Sequence, residues 1–432
     1  MTGRKRLRSF AVILNPRSAS FWWLFIVPLV LGVATRAGWA IYRAAPIGGE
    51  AQNVAVALAT GRGFADPYFV GSGPTAHLLP VSPLIAGAVY RLLGPHSVAS
   101  EVVLQALALI EIFATYLLTA ILFIRLGLPR LVGLAAFAFL ALAPLFFGPE
   151  TVEFRYWEGA LATIIGAGIL LWATGDDPFR AVIWPAVLIA LGCFVSPPVG
   201  VAGIAVMVAA IVANRAWRRG VMMGGWLAFS LACLFGPWAI RNERVFHTPI
   251  VLRSNLGIEL AVANHDRAYA DDSWETLNRR FQEVHPSQSP RAQEMVRRIG
   301  EVAYSSGLYV ETKAWIRDNP GTFFRLCARH VRQQILPSAW QFANGSKLLV
   351  CERLLLFSLI ALTGLIGGTW AMASLDRRFG YIVMFFGAIM LFYAPFQPVL
   401  RYLYLNYANL TFCAATALFL VYRRWTTSRG GG

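Results

Sequence analysis

Long apolar runs separated by short polar connections make up most of the chain. Ten such segments lie at 21–43, 101–125, 131–147, 159–174, 181–195, 198–213, 221–240, 349–373, 380–396 and 403–422. An α-helix needs about 20 apolar residues to cross a bilayer, and most of these segments approach that length. The pattern therefore predicts an all-α polytopic membrane protein with about ten transmembrane helices.

Composition supports this class and argues against a nucleic-acid partner. Hydrophobic residues make up 57% of the 432 residues and charged residues only 14%, whereas a soluble domain has about 45–50% and about 25%. The net charge of +16 comes mainly from arginines in the short connections, which is the orientation signal of a membrane protein. If the basic N-terminus is cytoplasmic, nearly all Arg-rich connections share its side, and both termini are predicted to be cytoplasmic.

Four stretches then fall on the outer face: 44–94, 148–158, 241–347 and 397–402. Nearly every conspicuous polar group at a helix end belongs to one of them, so we expect any reaction to take place outside. The predicted domains are a transmembrane domain at 1–240 with a catalytic first outer loop at 44–94, an extracytoplasmic helical domain at 241–347, and C-terminal transmembrane helices at 348–432. The extracytoplasmic domain has little core of its own and is expected to lean on the membrane domain.

Turn and cap residues predict helices within the outer stretches. Gly48-Gly49-Glu50 opens a helix that stops at Gly61, and a second helix begins near Pro83. Ser289-Pro290 is a typical N-cap followed by proline at the first helical position. The helix that it starts is expected to continue to a break at 318–321.

Glu50 is the first candidate for chemistry, because a carboxylate held where water meets lipid can act as a general base toward a hydroxyl group. A solvated loop acid, or a charge favoured by the helix N-terminus, is the alternative. Glu158, at the mouth of the fourth segment, is expected to face a partner or a site. It could instead belong to a solvated acidic loop with Glu150 and Glu153.

Arg241 and Arg401 lie at predicted outer helix ends, where either guanidinium can clamp an anionic headgroup through bidentate hydrogen bonds. Snorkelling anchors are the alternative. His77 and His265 stand out among the histidines, but a lone histidine is more often structural than a ligand. The five scattered cysteines form no CxxC or Cys/His cluster. No metal site is predicted, and a divalent cation is neither required nor excluded.

A series of short motifs spans most of the chain. It comprises Gly48-Gly49-Glu50, 59–64 (ATGRGF), 73–77 (GPTAH), 80–83 (PVSP), Trp157-Glu158, 237–242 (PWAIRN), 253–260 (RSNLGIEL), Asn264-His265, 300–304 (GEVAY) and Asn319-Pro320. In this order the motifs resemble those of bacterial family 39-like glycosyltransferases. These are GT-C fold relatives of dolichyl-phosphate-mannose protein mannosyltransferases and of lipid A aminoarabinose transferases.

The resemblance implies a GT-C-like bundle with outer juxtamembrane helices and a small helical extracytoplasmic domain, in the bacterial inner membrane. It implies an inverting enzyme that transfers a sugar from a polyprenyl-phosphate donor to a hydroxyl of a glycan, lipid or protein acceptor. The family's first-loop acid maps onto Glu50, and Glu158 is the second catalytic candidate. The substrate-binding candidates are Arg241, Arg401, His77, Arg253, Asn264 and His265.

The chain departs from the family pattern at two positions. Many relatives carry an Asp-Glu pair where this chain has Gly49-Glu50, and many have tryptophan where His77 stands. Two alternatives to the enzyme therefore stay open. One is a transporter or flippase of an anionic lipid or solute, for which Glu101 and Glu111 would supply charges within a span. The other is a catalytically impaired GT-C scaffold.

Overall fold

The computed structural model describes residues 19–42, 49–143, 145–342 and 346–429, so the basic N-terminus and Gly48 lie outside the described residues. Within those ranges every regular element is a helix, apart from an isolated bridge between Ala65 and Pro74. The helices are α1 (Val27–Tyr42, continuing a π-helical turn at Trp22–Ile26), α2 (Gly49–Ala59), α3 (Val81–Leu93), α4 (Val98–Arg125), α5 (Arg130–Leu142), α6 (Phe147–Thr151), α7 (Gly159–Ala173), α8 (Ile183–Val195), α9 (Pro197–Ala213), α10 (Trp217–Phe246), α11 (Leu256–Ala263), α12 (Asp266–Ala270), α13 (Trp274–Val284), α14 (Pro290–Ile299), α15 (Glu301–Asp318), α16 (Pro320–Gln333), α17 (Lys347–Ser374), α18 (Phe379–Phe392) and α19 (Leu400–Arg429).

The helices confirm a multi-pass membrane protein. Five are long and apolar enough, by length and composition, to cross a membrane: Trp22–Ala40, Val98–Arg125, Trp217–Phe246, Lys347–Ser374 and Leu400–Ser428. A bent pair that begins with α5 makes a sixth if it is counted as one span. Further apolar helices have 10–17 residues, fewer than the about 20 that cross a bilayer. The full number of ten crossings therefore stays a prediction.

Connections that are predicted to lie on the same side of the membrane contact each other. Before α18, Arg378 donates to the carbonyl oxygen of Thr174, at the end of α7, over 2.7 Å. Before α19, Pro398 accepts a hydrogen bond of 2.7 Å from Gln341, which precedes α17. The predicted inner connections thus meet each other, and so do the predicted outer stretches.

The described part of the predicted outer stretch after α10 contains six α-helices, α11 to α16. The predicted cap is confirmed, since Ser289 accepts a hydrogen bond from the amide of Ala292 at the start of α14. The prediction of one helix from there to residue 318 is wrong. Gly300 adopts a φ of +83°, which is not a helical value, and it separates α14 from α15. The predicted break before Pro320 is confirmed.

A buried ion pair joins α1 to α6. Arg36 Nε donates to Glu150 Oε2 over 2.7 Å, and both side chains are 1% exposed. The guanidinium also donates to the carbonyl oxygen of Ala141 at 2.6 Å, and the Tyr116 hydroxyl donates to Glu150 Oε1. A buried charge is tolerated when it is paired and its other hydrogen-bonding groups are satisfied. This pair meets both conditions.

The helices α17 and α19 pack along a glycine face. Gly364 and Gly368 have the small-xxx-small spacing that lets membrane helices approach closely, and Gly367 lies beside them. A methyl group at Gly367 would lie 2.1 Å from the carbonyl oxygen of Cys413, and one at Gly364 would lie 2.5 Å from that of Leu410. The close approach of the two backbones therefore requires glycine at both positions.

We predict that Gly367→Ala destabilises the protein by about 1–3 kcal/mol, the usual effect of overpacking a close contact. The measurement is the thermal unfolding midpoint of the detergent-purified protein, which should fall by several degrees. Gly387→Ala is the matched control, because nothing lies within 4 Å of its added methyl group. An equal fall in both variants would contradict the packing argument.

Candidate active site

The loop after α2 folds back on itself around one aspartate. Asp66 Oδ1 accepts hydrogen bonds from the amides of Gly71 and Gly73 at 3.0 and 3.1 Å, and Arg62 pairs with Oδ2 at 2.9 Å. Gly71 and Gly73 both have a φ of +88°, a region that glycine enters without strain. The turn-rich sequence thus forms a defined loop that leads to His77.

A buried carboxylate fixes this loop to the outer helices. Glu301, at the start of α15, accepts hydrogen bonds from Thr75 Oγ1 at 2.5 Å, from the amide of Ala76 at 3.0 Å and from the Ser254 hydroxyl. Burial raises the pKa of Glu301, and these donors oppose the rise. The contacts join three segments that are remote in sequence, and they position the residue after Ala76, which is His77.

Glu50, His77 and His285 converge from separate segments. Glu50 lies in the first turn of α2, His77 ends the loop, and His285 directly follows α13. One ligand atom from each side chain lies within 4.8 Å of the other two, and His285 Nδ1 is 3.9 Å from Glu50 Oε1. Tyr68 Oη lies 2.9 Å from His77 Nδ1. His285 Nδ1 accepts from the amide of Ser287 at 3.3 Å and lies 2.7 Å from the Ser287 hydroxyl.

The surroundings favour an ionised Glu50 beside a neutral His77. Burial raises the pKa of the Glu50 carboxyl, but its interactions with the two imidazoles, a backbone hydrogen bond and the charge of Arg401 together lower this pKa by more. Burial lowers the pKa of His77 to about 3, against the attraction of Glu50. At neutral pH a carboxylate therefore faces an imidazole that keeps a free lone pair.

Two arginines near the triad of Glu50, His77 and His285 are paired with acids. Arg253 Nη2 lies 2.5 Å from Glu158 Oε1. Arg401 Nη1 lies 3.9 Å from Glu153 Oε2, and its guanidinium lies over the Trp157 ring, 4.1 Å from the centroid. Cation–π contacts of this kind hold a guanidinium in place without neutralising it.

Electrostatic interactions connect this arginine pair with the triad. Arg401 interacts with Glu50 and with Glu158, and Arg253 interacts with His77. Five of the residues predicted from the sequence therefore belong to one charged cluster. It lies where α2, the first loop, the start of α7 and the start of α19 meet.

Arg241 lies beneath the first loop. Its guanidinium donates to the carbonyl oxygens of Thr75 at 2.7 Å and Phe64 at 2.8 Å, and it lies over the rings of Phe64 and Trp238. These contacts hold the loop in place. The predicted contact of Arg241 with a headgroup stays a prediction beside this observed structural one.

Asn264 and His265 follow α11 and connect other parts of the chain. Asn264 Nδ2 donates to the carbonyl oxygen of Pro395 at 2.9 Å, which ties the outer helices to the segment before α19. His265 Nδ1 accepts from the amide of Ala268 at 3.2 Å and caps α12, and burial lowers its pKa to about 4. Their predicted substrate contacts stay predictions.

A hydrogen-bonded network supports α2 from the side of the spans. Gln52, two residues after the predicted base, donates to the hydroxyls of Tyr90 at 3.1 Å and Tyr156 at 3.0 Å. Both hydroxyls donate to Glu101, which also pairs with Arg155 at 2.5 Å. Glu101 thus lies in the first turn of α4 with an ionic partner, a poor position for a charge that gates transport within a span.

An apolar groove of about 560 Å³ opens beside this network, between α1 and α4. Apolar side chains such as Val33, Leu109 and Phe113 line it, and Glu101 and Arg155 lie at its polar end. Arg155 is 6% exposed, and its Nη2 has no hydrogen-bond partner in the part of the chain that the structure describes. The groove therefore offers an apolar wall with an unused donor at one end.

Comparisons with known proteins leave the family of this chain open. No family model matches it, and no curated protein matches it. The chain is similar in structure to the archaeal oligosaccharyltransferase AglB from Archaeoglobus fulgidus, solved in complex with an inhibitory peptide and a dolichol-phosphate. The two share 13% identity over 95% of this chain and 51% of that one, with a TM-score of 0.49. This chain thus spans about half the length of that protein, and a likeness of this degree does not identify its chemistry.

We predict that Glu158→Gln lowers the free energy of unfolding at neutral pH by about 1–3 kcal/mol, because it leaves Arg253 largely buried without its partner. Burial raises the pKa of Glu158, but the charge and hydrogen bond of Arg253, a backbone hydrogen bond and the charge of Arg401 together lower this pKa by more. The contribution of the pair is therefore present above the ordinary pKa of glutamate and is lost as the pH falls through the lowered one.

The unfolding midpoints of wild type and Glu158→Gln should consequently differ most at neutral pH and converge in acid. Glu275→Gln is the control, because its pair with Arg279 is exposed and exposed pairs contribute little. A difference that stays constant across the pH range would argue against the ion pair as its cause.

Proposed function

We propose that this protein is a membrane glycosyltransferase of the GT-C type, which transfers a sugar from a polyprenyl-phosphate donor to an acceptor hydroxyl. The observation that carries the proposal is the charged cluster, in which the Glu50 carboxylate interacts with Arg401 beside the pair of Arg253 and Glu158. The ordered motifs of the sequence support the same class.

Such a transfer needs a base for the acceptor and positive charge for the leaving group. The acceptor oxygen forms a bond to the anomeric carbon as the bond from that carbon to the phosphate oxygen breaks. The acceptor proton goes to Glu50, and the electron pair of the broken bond leaves with the polyprenyl phosphate. This single displacement inverts the anomeric centre. Because the lowered pKa of Glu50 makes it an ionised but weak base, positive charge on the phosphate has to supply much of the rate.

Arg401 and Arg253 are the proposed contacts of the departing phosphate. Guanidinium groups bind phosphate oxygens bidentately, and Glu153 and Glu158 hold these two near their present positions. A bound phosphate would compete with those acids for the same donors.

The apolar groove between α1 and α4 is the proposed place for the polyprenyl tail. Its polar end contains Glu101 and Arg155, which the network through Tyr90 connects to Gln52 on α2. A tail in this groove would leave the headgroup near the helix that begins at Glu50. In this arrangement the tail lies at the level of the lipid chains, and the reaction takes place at the membrane surface.

The two alternatives make different demands. A transporter would use Glu101 and Glu111, but Glu101 is ion-paired at the first turn of α4. An impaired scaffold follows from Gly49 in place of the aspartate that many relatives carry. Glu50 nevertheless faces His77 and His285, and a protein that acts only as a scaffold would not need this cluster of polar side chains.

We predict that Glu50→Gln reduces glycosyl transfer by at least about 100-fold, the usual effect of removing a general base. The assay follows a radiolabelled polyprenyl-phosphate sugar in proteoliposomes, and it measures both transfer to an acceptor and movement across the bilayer. Glu294→Gln is the control, since that acid is exposed. Undiminished transfer in Glu50→Gln would refute the assigned base, and movement without transfer would favour the transporter.

Arg401 and Arg241 should respond differently to the same substitution. We expect Arg401→Lys to lower kcat/KM for the donor by about tenfold and Arg401→Gln by more, because lysine keeps the charge but loses the bidentate geometry. Arg241→Gln is expected to lower the unfolding midpoint, since it frees two loop carbonyls. An unchanged kcat/KM per folded molecule in Arg401→Gln would speak against the phosphate contact.

A further inference from the structure

Glu50, His77 and His285 have the composition and the spacing of a metal-binding site. We propose that these three side chains bind one divalent transition-metal ion, for which Zn²⁺ is the reference case. Their ligand atoms lie within 4.8 Å of one another. Ligands at about 2.0–2.2 Å from one tetrahedral ion are about 3.4 Å apart, so modest side-chain movements would close the site.

The donor set selects the class of ion. Two imidazoles with one carboxylate suit Zn²⁺ and its first-row neighbours, whereas Ca²⁺ and Mg²⁺ prefer sets made of oxygen atoms.

A hydrogen-bond partner can orient the His77 imidazole for metal binding. A ligating histidine usually donates its other ring N–H to a neighbouring acceptor, which fixes the ring and its tautomer. Tyr68 Oη lies 2.9 Å from His77 Nδ1 and can accept that hydrogen bond, which leaves Nε2 for the ion. His285 differs, because its Nδ1 accepts from the amide of Ser287 at 3.3 Å and lies 2.7 Å from the Ser287 hydroxyl. An ion bound through this atom would replace these two donors.

The two nearby arginines are paired with other acids. Arg253 lies 2.5 Å from Glu158, and Arg401 lies 3.9 Å from Glu153. Among the described residues, the ion-pair distance recorded for Glu50 is the one to His285. The Glu50 carboxylate can therefore turn to a cation without breaking an ion pair with either arginine.

The ion would have two effects. It would cross-link α2, the first loop and the residue after α13, which stabilises the folded chain in proportion to the binding affinity. Three protein ligands also leave a coordination position for water or a phosphate oxygen. This second role rests on the proposed function, and in it Glu50 binds the ion through one oxygen and keeps the other for the acceptor proton.

The test measures metal binding without substrate. The full-length protein is purified in detergent with a tag that lacks histidine, stripped with EDTA, and titrated with Co²⁺ by visible absorption and with Zn²⁺ by calorimetry. Wild type should bind one equivalent, as should the control His247→Asn, which alters an exposed histidine at a φ of +54°. His285→Ala and Glu50→Gln should weaken binding by at least about tenfold. Zn²⁺ should raise the unfolding midpoints of wild type and of His247→Asn, but not those of the two site variants.

The outcomes distinguish failure of the metal site from failure of the proposed glycosyl transfer. Failure of wild type to bind an ion, or equal affinity in His285→Ala, overturns the metal site, and His285→Gln replaces the alanine variant if that one does not fold. If the protein binds no ion and sugar transfer continues in EDTA, the metal site is refuted and the proposed glycosyltransferase activity stands. If the protein binds one equivalent of metal but transfers no sugar, the metal site stands and the proposed reaction is refuted.

Discussion

The Glu301 carboxylate is the contact on which the charged cluster depends. It binds the loop just before His77 and the segment just after Arg253, so one buried acid positions an imidazole and a guanidinium through their neighbours in the chain. A buried carboxylate with three donors is expensive to disturb, because each donor would lose its partner in a place that water does not reach. The geometry of the cluster therefore depends on a residue that lies behind it.

Hydrogen bonds from residues behind the cluster also position its other side. His330 of α16 and Gln334, which directly follows it, contact the carbonyl oxygens of Ala394 and Met390 at 2.9 Å. These contacts attach α16 to the end of α18 and to the connection that leads to Arg401. That residues 241–347 lean on the rest of the chain for their core stays a prediction.

Patterns of local sequence predicted most of the helices, the Ser289 cap and four members of the cluster, because apolar runs, caps and polar residues beside spans are local signals. The fifth member, Arg253, came from the motif resemblance alone. The break at Gly300 was missed, since a glycine inside a helical pattern is compatible with continuation or with a stop. His285 was missed for a different reason, because only the fold shows that it faces Glu50. Arg241 and Arg401 look alike in sequence, and only their neighbours distinguish a loop anchor from a member of the cluster.

The pair of Arg36 and Glu150 has a consequence for biosynthesis. The arginine leaves the ribosome 114 residues before its counter-ion, so it has no acidic partner from α6 while the first helix is inserted. Arg36 lies near one end of the candidate span Trp22–Ala40, where a long side chain can reach the interface with water. The pairing and burial of this arginine therefore follow the synthesis of the later segment.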